Sequence, residues 1–188
     1  MSKIILLNGC SSAGKTSLVK EIQDLSDKFW LTFGIDDLLD AMPDKYVGEG
    51  KKVTEGFQFV SSTDKEGLSI TEVKVGPIGE KVTALAPKIV KQFADSGFNV
   101  VVDEVIWEKK DLEDYALNLK NHQVYFVNVC CELPVMEERE KKRGDRLLGM
   151  SRWQFAKMKD LDWNYDIKID TSYTGPFANA KKILGLIR

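Results

Sequence analysis

A chain of 188 residues with one histidine, His122, has no material for a histidine-rich metal or catalytic cluster, and that residue's place just before an apolar run reads as surface loop. Cysteine is nearly as scarce. Cys10, Cys130 and Cys131 match neither a disulfide framework nor a metal-ligand spacing, so they read as reduced thiols. No apolar run approaches the ~18 residues of a membrane span, and the opening run Ile4-Ile5-Leu6-Leu7 is too short for a signal-peptide core. A cytoplasmic protein with no membrane partner is expected. Positive charge is not in excess either: 27 Lys and Arg against 29 Asp and Glu give a net charge of -2, which creates no field to collect polyanions and excludes nucleic acid as a default partner. A small substrate fits better. Internal repeats and linkers are absent, and 43% hydrophobic residues suffice for one sizeable core, so residues 1 to 188 are expected to form a single domain.

Against these absences stands one dense motif, Gly9-Cys10-Ser11-Ser12-Ala13-Gly14-Lys15-Thr16, placed after an apolar run and before an amphipathic one. Two glycines let the backbone turn so that successive N–H groups face one centre, and the following helix aims its positive end at the same point. That centre suits a nucleotide phosphate. Lys15 would reach the outer phosphates and the Thr16 hydroxyl would ligate Mg2+, so each fixed letter of this phosphate loop has its own chemical task.

Hydrophobic spacing organises the rest. Leu18, Val19, Ile22 and Leu25 predict a helix over 15 to 26, residues 30 to 35 a strand, and Leu38, Leu39 and Met42 a short helix stopped by Pro43. Residues 44 to 75 turn polar and Gly-dotted, with a candidate hairpin formed by 57 to 60 and 68 to 70, and a loop this long in a compact domain is usually functional. Ile78, Val82, Leu85, Ile89 and Phe93 predict one helix over 78 to 95 with a kink at Pro87. Strands follow at 98 to 102, 124 to 130 and 167 to 169, and helices around Leu112 to Leu119, from Pro134, and over 177 to 187. Five strands alternating with helices imply an α/β architecture: a five-stranded parallel sheet covered on both faces, three layers in all, with ligands at the strands' carboxyl ends.

Three groups of residues sit at those ends. Asp103 closes the run Asn99-Val100-Val101-Val102 and would hold Mg2+ opposite Thr16, with Glu104 competing for the role. Asp36 and Asp37 end the second strand, where a hydroxyl attacking a phosphoryl group needs a proton acceptor; an Asp there also makes a helix cap, Asp37 more so than Asp36. Arg139, Arg143 and Arg146 are spaced to share one side of a helix and could clamp an anion, with Gly144 marking a flexible lid over 134 to 150; a solvated charged helix is the competing reading. Trp107, Trp153, Trp163, Phe57 and Phe59 could furnish an apolar pocket, Trp107 foremost because it follows the third strand of the sheet.

Taken together, residues 6 to 16, Phe33-Gly34-Ile35-Asp36-Asp37-Leu38-Leu39 with Ala41-Met42-Pro43, residues 100 to 105, Arg143-Gly144-Asp145-Arg146, Tyr165-Asp166 and Asp170-Thr171 resemble the chloramphenicol 3-O-phosphotransferase family. The resemblance covers most of the chain in order. It implies a P-loop nucleoside-triphosphate hydrolase fold similar to nucleotide kinases with a helical lid, and transfer of the γ-phosphoryl group of ATP to an alcohol. It further implies ATP and Mg2+ at Lys15 and Thr16, the catalytic base at Asp36, and lid arginines at 139, 143 and 146. The chain departs from the family pattern at Glu104, where a second aspartate is expected, at Asp160, where a histidine is expected, and over the polar stretch 44 to 75, which should wall the acceptor. The reading is therefore a kinase of a small-molecule alcohol. Its competitors are a nucleotide or nucleoside kinase and a nucleotide-binding regulator without phosphotransfer. An Asn-Lys-x-Asp string is lacking, which disfavours a GTP switch. Nothing in the sequence sets an oligomeric state.

Overall fold

The computed structural model describes residues 1 to 144 and 147 to 187. Its first half runs β1 (Lys3–Asn8), α1 (Lys15–Leu25), β2 (Trp30–Gly34), α2 (Ile35–Asp40), β3 (Val47–Gly48), β4 (Phe57–Thr63), β5 (Ser69–Val75), α3 (Pro77–Thr83) and α4 (Ala86–Asp95). Then come β6 (Asn99–Glu104), α5 (Lys109–Asn118), β7 (Gln123–Cys130), α6 (Leu133–Arg143), α7 (Met150–Met158), β8 (Ile167–Asp170) and α8 (Pro176–Leu186). Strands β2-β6-β1-β7-β8 form one parallel sheet in that order, with Gly34, Asp103 and Leu7 level on three adjacent strands. The expected five-stranded parallel architecture is the one observed.

Alternation along β1 builds the three layers. Ile5 and Leu7 point to one face, where they pack with Leu18 and Ile22 of α1 and Ile183 of α8, while Ile4 and Leu6 point to the other, with Val90 of α4 and Leu112 of α5. All nine side chains are fully buried. At roughly 1.5–3 kcal/mol each, such side chains supply much of the force that holds α1, and with it the phosphate loop, against the sheet.

Three expectations change. The helix over 78 to 95 is two helices, because a proline ring at position 87 clashes with the carbonyl four residues before it and Pro87 instead enters the first turn of α4. Its buried stripe is Ala86, Val90 and Ala94, one residue on from the expected Leu85, Ile89 and Phe93, and Leu85 is exposed. The hairpin is longer than expected, with β4 and β5 paired antiparallel from Phe57↔Val75 to Thr63↔Ser69 and β3 alongside β4 as a second sheet. Helix α7, which the hydrophobic spacing does not announce, packs against β5.

Candidate active site

The phosphate loop connects β1 to α1 and its backbone is forced by close packing. A Cβ on Gly9 would lie 2.4 Å from the Val129 carbonyl oxygen, and Gly14 sits at φ +90. Ser12 also adopts a left-handed conformation, φ 61, which a non-glycine residue holds only when its surroundings impose it. Its buried hydroxyl has no hydrogen-bond partner among the described residues, at a cost of roughly 1–3 kcal/mol that a ligand would relieve. Around it the loop is tied down from outside. Thr171 Oγ1, just past β8, donates to the Ala13 carbonyl at 2.6 Å, and the Ser11 N–H donates to Gln154 Oε1 at 2.6 Å.

Lys15, 7% exposed, places its ammonium 3.1 Å from the Cys10 carbonyl and 3.5 Å from Asp103 Oδ1. The Thr16 hydroxyl donates to Asp103 Oδ2 at 2.8 Å. A cation, a carboxylate and a hydroxyl thus meet at the mouth of the loop. Among the described residues no group of three His, Cys, Asp or Glu side chains is arranged to hold a metal, so an ion ligated by Thr16 and Asp103 would need phosphate oxygens to complete its shell, which is how Mg2+ is held at phosphate sites. The loop thiol takes no part in such chemistry: burial pushes Cys10 up to about 11, leaving it protonated and inert.

Glu104, next along β6, points the other way and is buried, with Tyr115 Oη donating to its Oε1 at 2.7 Å. That placement separates the two carboxylates: Asp103 faces the loop cations, whereas Glu104 faces α5. Burial, with the Asp103 charge adding to it, pushes Glu104 up from 4.5 to about 7 despite the Tyr115 hydrogen bond. Between these values the folded chain binds the proton and the unfolded chain does not, so this group's stabilisation is complete below pH 4.5 and is lost as pH rises to about 7. Glu104→Gln keeps the acceptor for Tyr115 and removes the titration. Its stability advantage over the parent, read from thermal melts, is expected to widen between about pH 5 and about pH 8 by on the order of a few kcal/mol. A gap that stays constant with pH would refute the assignment.

Asp36 and Asp37 open α2, directly beyond β2 and two strands from the phosphate loop. The helix N-cap is Gly34 and not Asp37 as expected; Asp37, inside the first turn, reaches back and accepts the Gly34 N–H through Oδ2 at 2.8 Å, and Asp36, one residue nearer the strand, is exposed. Arg139 reaches over the loop from α6: its Nη2 donates to the Thr171 carbonyl at 2.6 Å and its Nη1 approaches the space a Gly14 Cβ would fill to 3.7 Å. Arg143 joins Arg139, Ser12, Gly14 and Ser17 around an adjoining cavity of about 290 Å³. Arg146 lies outside the described residues. Trp107 and Trp153 meet edge to face with ring centroids 5.1 Å apart, whereas Trp163 packs on Phe126 and Phe57 is buried in the second sheet's base.

A family model described as chloramphenicol phosphotransferase-like protein matches residues 2–188. The chain belongs to that family. It is 34% identical over 172 residues to a protein of Mycobacterium tuberculosis (strain CDC 1551 / Oshkosh) provisionally named as an O-phosphotransferase, covering 92% of this chain and 76% of the relative. Among solved structures it is similar to an unliganded sugar kinase from Janibacter sp. HTCC2649, with a TM-score of 0.69 at 14% identity over 100% of this chain and 95% of that one. The APS kinase of Mycobacterium tuberculosis in complex with AMPPNP and APS superposes with a TM-score of 0.65 at 13% identity, over 99% and 97%. These structural likenesses establish a P-loop kinase fold; membership of the family establishes a phosphotransferase. Among the described residues no helix is long and apolar enough to cross a membrane.

Sequence reading missed two contributors. Thr171 anchors the loop and orients Arg139, a role the sequence reading did not assign although Asp170-Thr171 stands within the family resemblance. Gln154 gave no signal, because a lone glutamine in an unrecognised helix carries no pattern.

Proposed function

We propose that the chain transfers the γ-phosphoryl group of ATP to a hydroxyl of a small organic molecule, in the manner of a chloramphenicol phosphotransferase. The observation that carries this reading is the meeting of Lys15, Asp103 and Thr16 at a strained phosphate loop whose buried Ser12 hydroxyl has no partner among the described residues. Thr16 and Asp103 would hold Mg2+, which supplies charge neutralisation on the phosphates. Lys15 would exchange its Asp103 contact for the outer phosphates. A cavity of about 360 Å³ between Gly14, Ser17, Arg139 and residues 171 to 176 adjoins the loop on the side away from Asp36 and has room for the nucleoside.

Asp36 is the proposed base, at the sheet edge where the acceptor hydroxyl would arrive. It accepts the alcohol's proton as the oxygen–phosphorus bond forms and the bond to the departing ADP breaks. Arg139, Arg143 and Arg146 stabilise the charge spread over the transferring oxygens. The Trp107–Trp153 pair gives the acceptor side an apolar wall, which favours an acceptor with an aromatic or aliphatic body, and the second sheet over 44 to 75 walls the same side. The whole chain would act as one domain.

A panel of small alcohols, nucleosides and nucleotides, incubated with labelled ATP and Mg2+, tests the reading. Label in a small alcohol supports it; label only in nucleosides or nucleotides, or hydrolysis alone, rejects it in favour of a nucleotide kinase or a regulator. Chloramphenicol belongs first on the panel. Arg143→Ala is expected to lower turnover by roughly 10- to 100-fold while ATP affinity changes by less than about threefold, because its charge acts mainly on the transition state. Equal losses in both would make it a ground-state ligand.

A further inference from the structure

Helix α7 is fastened to three parts of the site at once. At its N-terminal end Glu140 of α6, 2% exposed, accepts the Gly149 N–H at 2.7 Å and the Ser151 N–H at 2.9 Å, one residue along from Arg139. On the hairpin side the Thr71 hydroxyl and N–H donate to the Leu148 and Gly149 carbonyls at 2.8 and 3.2 Å. Gly149, at φ +85, comes so close to β5 that a Cβ would lie 2.2 Å from the Ser69 carbonyl oxygen. Arg152 bridges Glu137 of α6 at 2.6 Å and Asp64 of the hairpin turn at 3.4 Å. In its middle Gln154, 4% exposed, takes the Ser11 N–H of the phosphate loop. Its neighbour Trp153 meets Trp107 edge to face.

We propose that Gln154 is a positioning residue that couples occupancy of the phosphate loop to the acceptor hairpin and the arginine helix through α7. The inference rests on the reading that the loop holds a nucleotide. A buried amide hydrogen bond in a low-dielectric setting is directional, and an N–H left without it stays unsatisfied, so the loop and α7 move together or lose the bond. A nucleotide that selects one loop geometry therefore biases α7, and by linkage a ligand seated on the hairpin biases the loop equally. Glu140 and Arg152 carry the same displacement to the helix that bears Arg139 and Arg143. None of this requires Gln154 to touch the nucleotide.

Trp153 supplies the readout. Mg2+ and AMPPNP are titrated into parent, Gln154→Met, Gln154→Glu and Trp153→Phe proteins, with affinity measured by calorimetry and α7 followed by tryptophan emission. The parent is expected to bind with an emission change that Trp153→Phe abolishes. Gln154→Met should bind within about threefold of the parent yet lose most of that change, whereas Gln154→Glu, which retains an oxygen for the Ser11 N–H, should keep it at saturation. A merely structural glutamine would alter melting temperature without separating emission from affinity. Parental emission changes in Gln154→Met or in Trp153→Phe, or heat without any emission change in the parent, overturn the coupling alone. Absence of heat in the parent overturns the nucleotide reading and the coupling with it. Should Gln154→Met fail to fold, Gln154→Glu decides: a folded variant that binds without the emission change overturns the proposal, and one that keeps it, with Trp153→Phe silent, upholds it.

Discussion

Asp36→Asn is expected to lower acceptor phosphorylation by roughly 10²- to 10⁴-fold while leaving the fold and ATP affinity intact, the range general-base groups supply. The substitution keeps the size of the side chain and its ability to accept a hydrogen bond in the first turn of α2. It removes only the capacity to take a proton. Asp37→Asn is the matched control, because an asparagine oxygen can still accept the Gly34 N–H that Asp37 Oδ2 takes at 2.8 Å, so its rate should stay near the parent's. Single-turnover transfer from labelled ATP to the acceptor found in the panel separates the two. Near-parental transfer by Asp36→Asn, or a larger loss in Asp37→Asn, would place the base elsewhere.

The division of labour between those adjacent aspartates shows what sequence can reach. An Asp pair after a buried strand announces both a helix start and a candidate base, but not the cap itself, which is Gly34, with Asp37 reaching back from the first turn to its N–H. The sheet was legible for a similar reason: parallel strands buried on both faces read as unbroken apolar runs, and Val100, Val101 and Val102 are all fully buried. Asp103 and Glu104 mark the boundary. Adjacent strand residues point to opposite faces, so one faces the loop and one faces α5, but which is which depends on packing partners such as Tyr115 that sit far off in sequence.

Helix α7 was illegible because its buried face is polar. Ser151 is fully buried and Gln154 nearly so, while Phe155 is exposed, so the apolar periodicity that marks other helices is inverted here. Gln154 is engaged by the phosphate loop and the Ser151 N–H by Glu140 of α6 instead of a hydrophobic core, while the buried Ser151 hydroxyl has no hydrogen-bond partner among the described residues. The same holds at α4, where small Ala86 and Ala94 are buried and larger Leu85 is exposed, which rotates the stripe away from the one that side-chain size suggests. In both helices the departure from apolar patterning reflects tertiary partners that local sequence does not encode.

Lys15→Ala is expected to weaken Mg2+-ATP binding by roughly 10- to 100-fold, since charge-assisted hydrogen bonds contribute about 1.5–3 kcal/mol and each 1.4 kcal/mol is a factor of ten. Transfer should fall further, because the ammonium also faces charge that grows on the bridging and terminal oxygens as the phosphoryl group leaves. The loss has an internal check in Asp103. In the ligand-free chain Lys15 lies 3.5 Å from Asp103 Oδ1, so part of the lysine's charge is already neutralised, and Asp103→Asn alone would weaken metal binding while releasing that lysine. Because the two side chains share one site, the double variant should lose less affinity than the sum of the single losses. Calorimetric titration of ATP in the presence and absence of Mg2+, on variants whose melting temperatures match the parent, gives all four corners of the cycle. Parental affinity in Lys15→Ala would remove the lysine from the nucleotide site; additive losses would show that Lys15 and Asp103 act on separate parts of it.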